Sequence, residues 1–186
     1  MGRLAMLWVL ICLVSGCGRG DSAMERCVDL RQRVLAAGQC SFSMDISADY
    51  GEHLMSFSLD CSSDPTGNVR FTVTHPESIQ GISGALSSSG GELSFDDTVL
   101  HFDFMAEDRF SPISAPWLLL HTLRSGFIRC AGMEGELLRM TVDDSYEEDA
   151  LQLDIWVGTD GVPLKAEVIH EGQNILSLQI RNFRIL

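Results

Sequence analysis

The side chains with most chemistry to offer are the six cysteines, Cys12, Cys17, Cys27, Cys40, Cys61 and Cys130. A thiol can be acylated, oxidised to a disulfide or bound to metal, and its setting decides which. Cys12 lies in an apolar run from Leu4 to Val14, after Arg3 and before the small pair Ser15-Gly16. A positive start, an apolar stretch and a small-residue site make a secretory signal. The run is shorter than the roughly 20 residues a membrane-spanning helix needs. Cys12 would leave with such a signal, and Cys17 follows the small pair directly. Cys27, Cys40, Cys61 and Cys130 remain, an even set in an exported chain, where disulfides persist. Zinc would want close pairs such as C-x-x-C, and these four stand 13, 21 and 69 residues apart.

No other set of reactive side chains converges. His53, His75, His101, His121 and His170 are scattered, and Ser87-Ser88-Ser89 has no G-x-S-x-G setting. No phosphate-binding or dinucleotide glycine loop occurs. The acidic run from Asp143 to Asp149 offers neither the sixth-position Gly nor the twelfth-position Glu of a calcium loop, and reads as a solvated hairpin tip. No enzyme activity, cofactor or metal site is expected. The chain carries 13 Lys and Arg against 26 Asp and Glu, a net charge of -13. Such a balance repels nucleic acid and anionic head groups. A hydrophobic content of 45% argues against disorder.

Periodicity supplies the elements that place these residues. Met24 to Ala37 reads as a helix, capped by Asp21 or Ser22 and ended by Gly38, with Cys27, Leu30, Val34 and Leu35 on one face. Cys40, Phe42, Met44 and Ile46 alternate with polar residues, as do Met55, Phe57, Leu59 and Cys61. A two-residue turn at Tyr50-Gly51 would set Ile46 against Met55, Met44 against Phe57, Phe42 against Leu59 and Cys40 against Cys61. Directly opposed Cβ atoms come within disulfide range. A Cys40–Cys61 bridge is therefore expected, and Cys27–Cys130 by elimination.

Further strands follow around Val69-Phe71-Val73, Ile82-Leu86, Leu93-Phe95 and Leu100-Phe104. Ser114 to Cys130 reads as a second, more apolar helix, with Leu119, Leu123, Phe127 and Cys130 on one face and Trp117 and Leu120 widening it. Leu138, Met140 and Val142 alternate next. Leu151 to Val157 and Val162 to Val168 form a hairpin in which Leu153 would oppose Ala166. A loop at Glu171-Gly172-Gln173 then sets Val168 against Leu176 and Ala166 against Leu178. Asn182-Phe183 shifts the phase, in the manner of a bulge.

The fold class is α+β, mainly β. About nine or ten antiparallel strands make a curved sheet, a half-barrel, with two or three helices closing its concave face. Its inward residues Phe42, Met44, Met55, Phe57, Phe71, Phe102, Phe104 and Met140, joined by Trp117, suit an adaptable apolar ligand cavity. Residues 1–16 form the leader, 17–23 the tether and 24–186 the domain. A monomer is expected.

Two resemblances sharpen this. Val14-Ser15-Gly16-Cys17 resembles the lipobox of bacterial lipoproteins. That implies a diacylglyceryl group on Cys17 and a place at the extracytoplasmic face of the cell membrane, or at an outer membrane if the organism has one. The lipobox, first helix, meander and inserted apolar helix resemble the LolA/LolB-like superfamily of envelope lipid and lipoprotein carriers. The stretch from Val157 to Val168, with Gly161, Pro163, Lys165 and Glu167, and the closing Asn182-Phe183, look like the LolA-like lipoproteins of Gram-positive bacteria. The resemblance implies an eleven-stranded half-barrel with a helical lid and a cavity that takes an acyl chain, a lipid or a lipoprotein. The soluble carrier of that superfamily holds its lid with an inward arginine. Here the strand arginines Arg70 and Arg139 fall at outward positions. The other reading is a protein-interaction or sensory module with a packed core, like the stress-sensing relatives.

Replacing Cys17 by Ser is expected to abolish acylation. The measurement is incorporation of labelled fatty acid in a bacterial host, and incorporation that survives C17S would refute the lipobox reading.

Overall fold

A computed structural model describes residues 19–51, 54–96, 98–106, 109–147 and 150–186. The leader, Cys12, Cys17 and His53 lie outside these residues. The chain opens with α1 (Arg19–Ala37), followed by β1 (Cys40–Asp49), β2 (Leu54–Ser63), β3 (Val69–His75), β4 (Ser83–Ser87), β5 (Gly90–Phe95) and β6 (Thr98–Phe102). A small hairpin, β7 (Met105–Ala106) and β8 (Arg109–Phe110), leads into α2 (Ala115–Ser125). Then come β9 (Phe127–Glu134), β10 (Leu137–Asp143), β11 (Gln152–Val157), β12 (Pro163–His170) and β13 (Gln173–Ile185).

Eleven strands make one sheet in the order β6-β5-β4-β3-β2-β1-β13-β12-β11-β10-β9. All its pairings are antiparallel. The first and last long strands, β1 and β13, meet at its centre, and β6 and β9 end it, so the sheet is not closed. One face is apolar throughout: Phe42, Met44, Ile46 and Ala48 on β1, Leu59 and Cys61 on β2, Phe71 on β3, Met140 on β10, Leu153 on β11 and Leu178 on β13 are all buried. The two α-helices pack on this face, chiefly against β9, β10 and β13 and against each other.

The first helix begins earlier than its periodicity suggests, so Asp21 and Ser22 lie within it. Ala23, Cys27, Leu30 and Val34 form its buried stripe, and Leu35 is exposed. Leu35 follows Val34 directly, which puts it about 100° round the helix from the stripe's centre line. The second helix stops at Ser125. Phe127 and Cys130 belong instead to β9, a strand hidden in the sequence because its residues continue the apolar character of α2.

Two hairpins keep their predicted faces but not their registers. Cys61 lies opposite Phe42, Leu59 opposite Met44 and Phe57 opposite Ile46. Cys40 thus stands two residues out of line with Cys61. The pairing closes at Asp49–Leu54 around a longer loop than Tyr50-Gly51. A slip of two residues preserves every side chain's face, so alternation cannot detect it. Leu153 likewise opposes Val168 rather than Ala166, and a bulge beside Val157 turns Leu164 outward, where it is exposed. The third hairpin has the predicted pairs Val168–Leu176 and Ala166–Leu178. At Asn182-Phe183, β13 carries one more residue than β1 opposite. Asn182 there has φ 54°, and Phe183 stacks on Phe42 at 5.3 Å between centroids.

The outer face is mostly polar and exposed, but on β11 the outward Asp154 and Trp156 are buried as well. Asp154 accepts hydrogen bonds from Arg139 Nη2 at 2.5 Å and Thr141 Oγ1 at 2.6 Å. Trp156 lies between Lys165 Nζ, 3.8 Å from its ring centroid, and Arg139, 5.1 Å away, and donates to Glu134 at 2.8 Å. A buried carboxylate is tolerable when paired and hydrogen-bonded in this way.

Arg31 joins the two helices. Its guanidinium donates to the carbonyls of Leu123 (2.9 Å) and Gly126 (2.6 Å) at the end of α2, and at 3.3 Å to that of Thr122, which also accepts from the Gly126 N–H. Replacing Arg31 by Ala should cost about 1.5–3 kcal/mol, the range for hydrogen bonds to a charged group. Urea unfolding measures this, and an unchanged midpoint would show that water satisfies those carbonyls equally well.

Candidate functional site

The predicted cavity residues divide into three groups. Phe42, Met44, Phe71 and Met140 are fully buried and belong to the packed core. Phe57, Phe102, Phe104 and Trp117 are half-buried against that core. Met55 is 44% exposed. The reason is α2, whose Leu118, Leu119, Leu120 and Leu123 are buried on the concave side and occupy the space a chamber would need. Two clefts of about 710 and 790 Å³ lie outside this packed core, the first of them reaching Leu86 and Gly91. The first, at the β2–β3 and β4–β5 turns, includes Arg70, Glu92 and His101, and touches Phe102 of the predicted set. The second includes Phe127, Tyr146 and Glu171.

What remains open is the concave side of β5 and β6, at the edge of the β2–β6 half. Cross-strand pairing aligns Phe71, Gly84, Leu93 and Leu100 in one row and Leu86, Gly91 and Phe102 in the next. Both glycines are forced by close approach. A Cβ on Gly84 would stand 2.6 Å from the Phe71 ring, and one on Gly91 2.2 Å from the Phe102 ring. Two aromatic rings therefore lie flat across the wall where side chains are missing. Burial fades towards the edge of the sheet. Phe71 and Leu86 are buried and Leu93 is half-buried, but Leu100 is 60% and Phe95 56% exposed, both at inward register positions. Exposed apolar side chains grouped on a concave wall mark a binding surface. Alternation had identified these strands, but exposure depends on where the helices settle, and no local pattern encodes that.

Aromatic side chains and the small hairpin flank this wall. Phe104 meets Trp117 of α2 at 4.7 Å between centroids, and Trp117 stacks on His121 at 4.6 Å. Tyr50, in the β1–β2 loop, donates its hydroxyl to the carbonyl of Phe110 and so ties the β7–β8 hairpin to the end of the sheet.

The four described cysteines carry free thiols, so neither expected bridge is seen. Cys40 and Cys61 are kept out of line by the register described above. The backbone N–H of Cys40 donates instead to Ser63 Oγ at 2.8 Å. Cys27 is buried on the inner face of α1, whereas Cys130 is exposed on β9. Burial pushes the Cys27 thiol up to about 11, against the opposing pull of Arg26 and Arg31. Burial also raises Cys40 and Cys61. Among the described residues, no group of three or more His, Cys, Asp or Glu side chains could hold a metal ion, and no helix is long and apolar enough to cross a membrane.

No protein-family model and no curated protein matches the chain. Among solved structures it is similar to a LolA superfamily protein from Nitrosomonas europaea, at 7% identity and a TM-score of 0.49, over 91% of this chain and 94% of that one. It is also similar to a putative outer membrane lipoprotein-sorting protein domain from Vibrio parahaemolyticus, at 9% identity and 0.47, over 88% and 92%. A third is Mycobacterium tuberculosis lipoprotein LppX, at 11% and 0.38, over 84% and 94%.

The raised thiols make stability pH-dependent. Each stays protonated in the folded chain after its unfolded counterpart ionises. Its contribution is thus whole below the ordinary cysteine value of about 8.5 and is lost as pH rises through the folded value. Thermal unfolding should show the midpoint falling between the ordinary thiol value and about 11 for Cys27, with a shallower fall in C27A. Equal slopes in the two proteins would contradict the burial argument.

Proposed function

We propose that this is a lipid-anchored protein of the cell envelope that receives an acyl chain on the concave wall of β2–β6. One observation carries the reading: Phe95 and Leu100 occupy inward positions of the sheet and stay more than half exposed. The Gly91 gap leaves the wall smooth, with the half-buried Phe102 ring lying across it. A flexible chain of methylenes fits such a surface, because its binding is non-directional and scales with apolar area covered. The packed β9–β13 half and α2 act as the rigid support. The lipobox resemblance at Cys17, two residues before the start of α1 at Arg19, supports a position of the wall beside a bilayer. The ligand is therefore a lipid, or the acylated end of a lipoprotein, held beside the membrane rather than enclosed.

The test is native mass spectrometry of the exported chain carrying Cys17→Ser, which removes covalent acylation. Near-stoichiometric non-covalent lipid, or uptake of added phospholipid, is the expected result. Leu100→Asp or Phe95→Asp should weaken uptake about 10-fold or more, because burying one such side chain is worth about 1.5–3 kcal/mol. A clean apo mass with no uptake would refute acyl binding and leave the packed interaction module.

A further inference from the structure

The two ends of the open sheet are treated very differently. At one end, β9 carries Arg129 and Glu134 and has a bulge opposite Thr141 and Val142. Helix α1 packs along it, with Arg26 donating to Met133 Sδ at 3.2 Å. Charges, bulges and covering helices are the usual means of blocking an edge. At the other end, β6 reads Thr98-Val99-Leu100-His101-Phe102, without Lys, Arg, Pro or bulge. It pairs with β5 on one side, and among the described residues no strand pairs with its other side. Val99 is 54% exposed on the outer face and Leu100 is exposed on the inner one. A bulge-free strand whose outer edge pairs with no other strand among the described residues, with apolar side chains on both faces, is a template for another strand.

Charge selects the occupant. Asp96 and Asp103 flank β6, and Glu92 lies beside His101 at 3.4 Å. A second copy laid antiparallel across a two-fold axis at Leu100 would bring the Asp103 end of each strand beside the Asp96 end of the other. Like charges set opposite one another across strands are destabilising, and the chain as a whole carries -13. A strand with basic ends meets complementary charge at the same places. We infer that β6 is a docking edge for an extended polypeptide segment of another protein, with β-branched or apolar residues in its middle and basic residues at its ends. The segment adds a twelfth strand to the sheet beside the exposed wall. Backbone hydrogen bonds supply affinity, and the flanking carboxylates supply selectivity and faster encounter.

The experiment uses the full chain and the synthetic peptide Lys-Lys-Thr-Val-Thr-Val-Thr-Lys-Lys. A control of the same charge has Pro at alternate central positions, which cannot donate to a ladder. Hydrogen exchange is read at Val99 to Phe102. The first peptide should slow exchange there by on the order of tenfold, more at low salt, and the Pro peptide should not. Val99→Lys, on the outer face, should weaken the peptide and leave acyl uptake at the wall unchanged, which separates this idea from the preceding one. Three results would overturn it: no protection of β6, equal binding of the Pro peptide, or β6 amides already protected in a particle of twice the chain mass, which would make a second copy the occupant.

Discussion

Everything in this fold hangs on the pairing of β1 with β13. The strands that open and close the sheet region of the chain lie side by side at its centre, Ile46 against Leu178 and Met44 against Ile180. Two meanders grow outward from that seam, one from β2 to β6 and one from β12 back to β9. Without the seam each would be a smaller sheet with an apolar face and no partner across it. The extra residue at Asn182-Phe183 gives β13 a local bend, which is what a bulge does. Because the seam joins residues near both ends of the domain, it closes a very long loop and forms at high entropic cost.

The helices then divide the concave face unequally. Arg31 holds the end of α2, and α2 in turn fills the side of the half-barrel nearest β10 with leucines. The other side keeps its apolar wall without comparable cover. This asymmetry sets a rigid, packed half beside an accessible one, and rigidity in the first lets the second hold its shape. The Asp154–Trp156 cluster stiffens the packed half from outside, since a ring held between two cations and a carboxylate held by two donors leave β10, β11 and β12 little freedom.

The hairpins show where sequence reasoning stops. Alternation assigned Phe42, Met44, Leu153 and Ile155 to the inner face because a period of two is a local property. The β1–β2 and β11–β12 registers are each displaced by two residues, a shift that preserves the faces, whereas the one-residue bulge beside Val157 turns Leu164 outward. In the β12–β13 hairpin the expected pairs stand although the turn is different. Glu171 and Gly172 both have positive φ and form a two-residue turn, and a bulge beside Val168 restores the offset. A disulfide inferred from register inherits that register's error, which is why Cys40 and Cys61 are unbridged. The strand β9 was missed for a related reason: Phe127 and Cys130 sit at helical spacing from Leu119 and Leu123, and only a tertiary partner, β10, makes them extended.

The class of fold, the inner and outer faces of most strands, the apolar helix across the concave side and the acidic surface are legible in the chain's residues alone. All of these follow from composition and short-range periodicity, which act before any long-range contact exists. Tertiary structure alone decided which inward residues became core and which became surface. Phe71 and Leu100 share one cross-strand row and one chemical character, yet the first is buried and the second exposed. The difference is their distance from the central seam and from α2, and distance across a sheet is set by strand order, a quantity no stretch of the chain contains on its own.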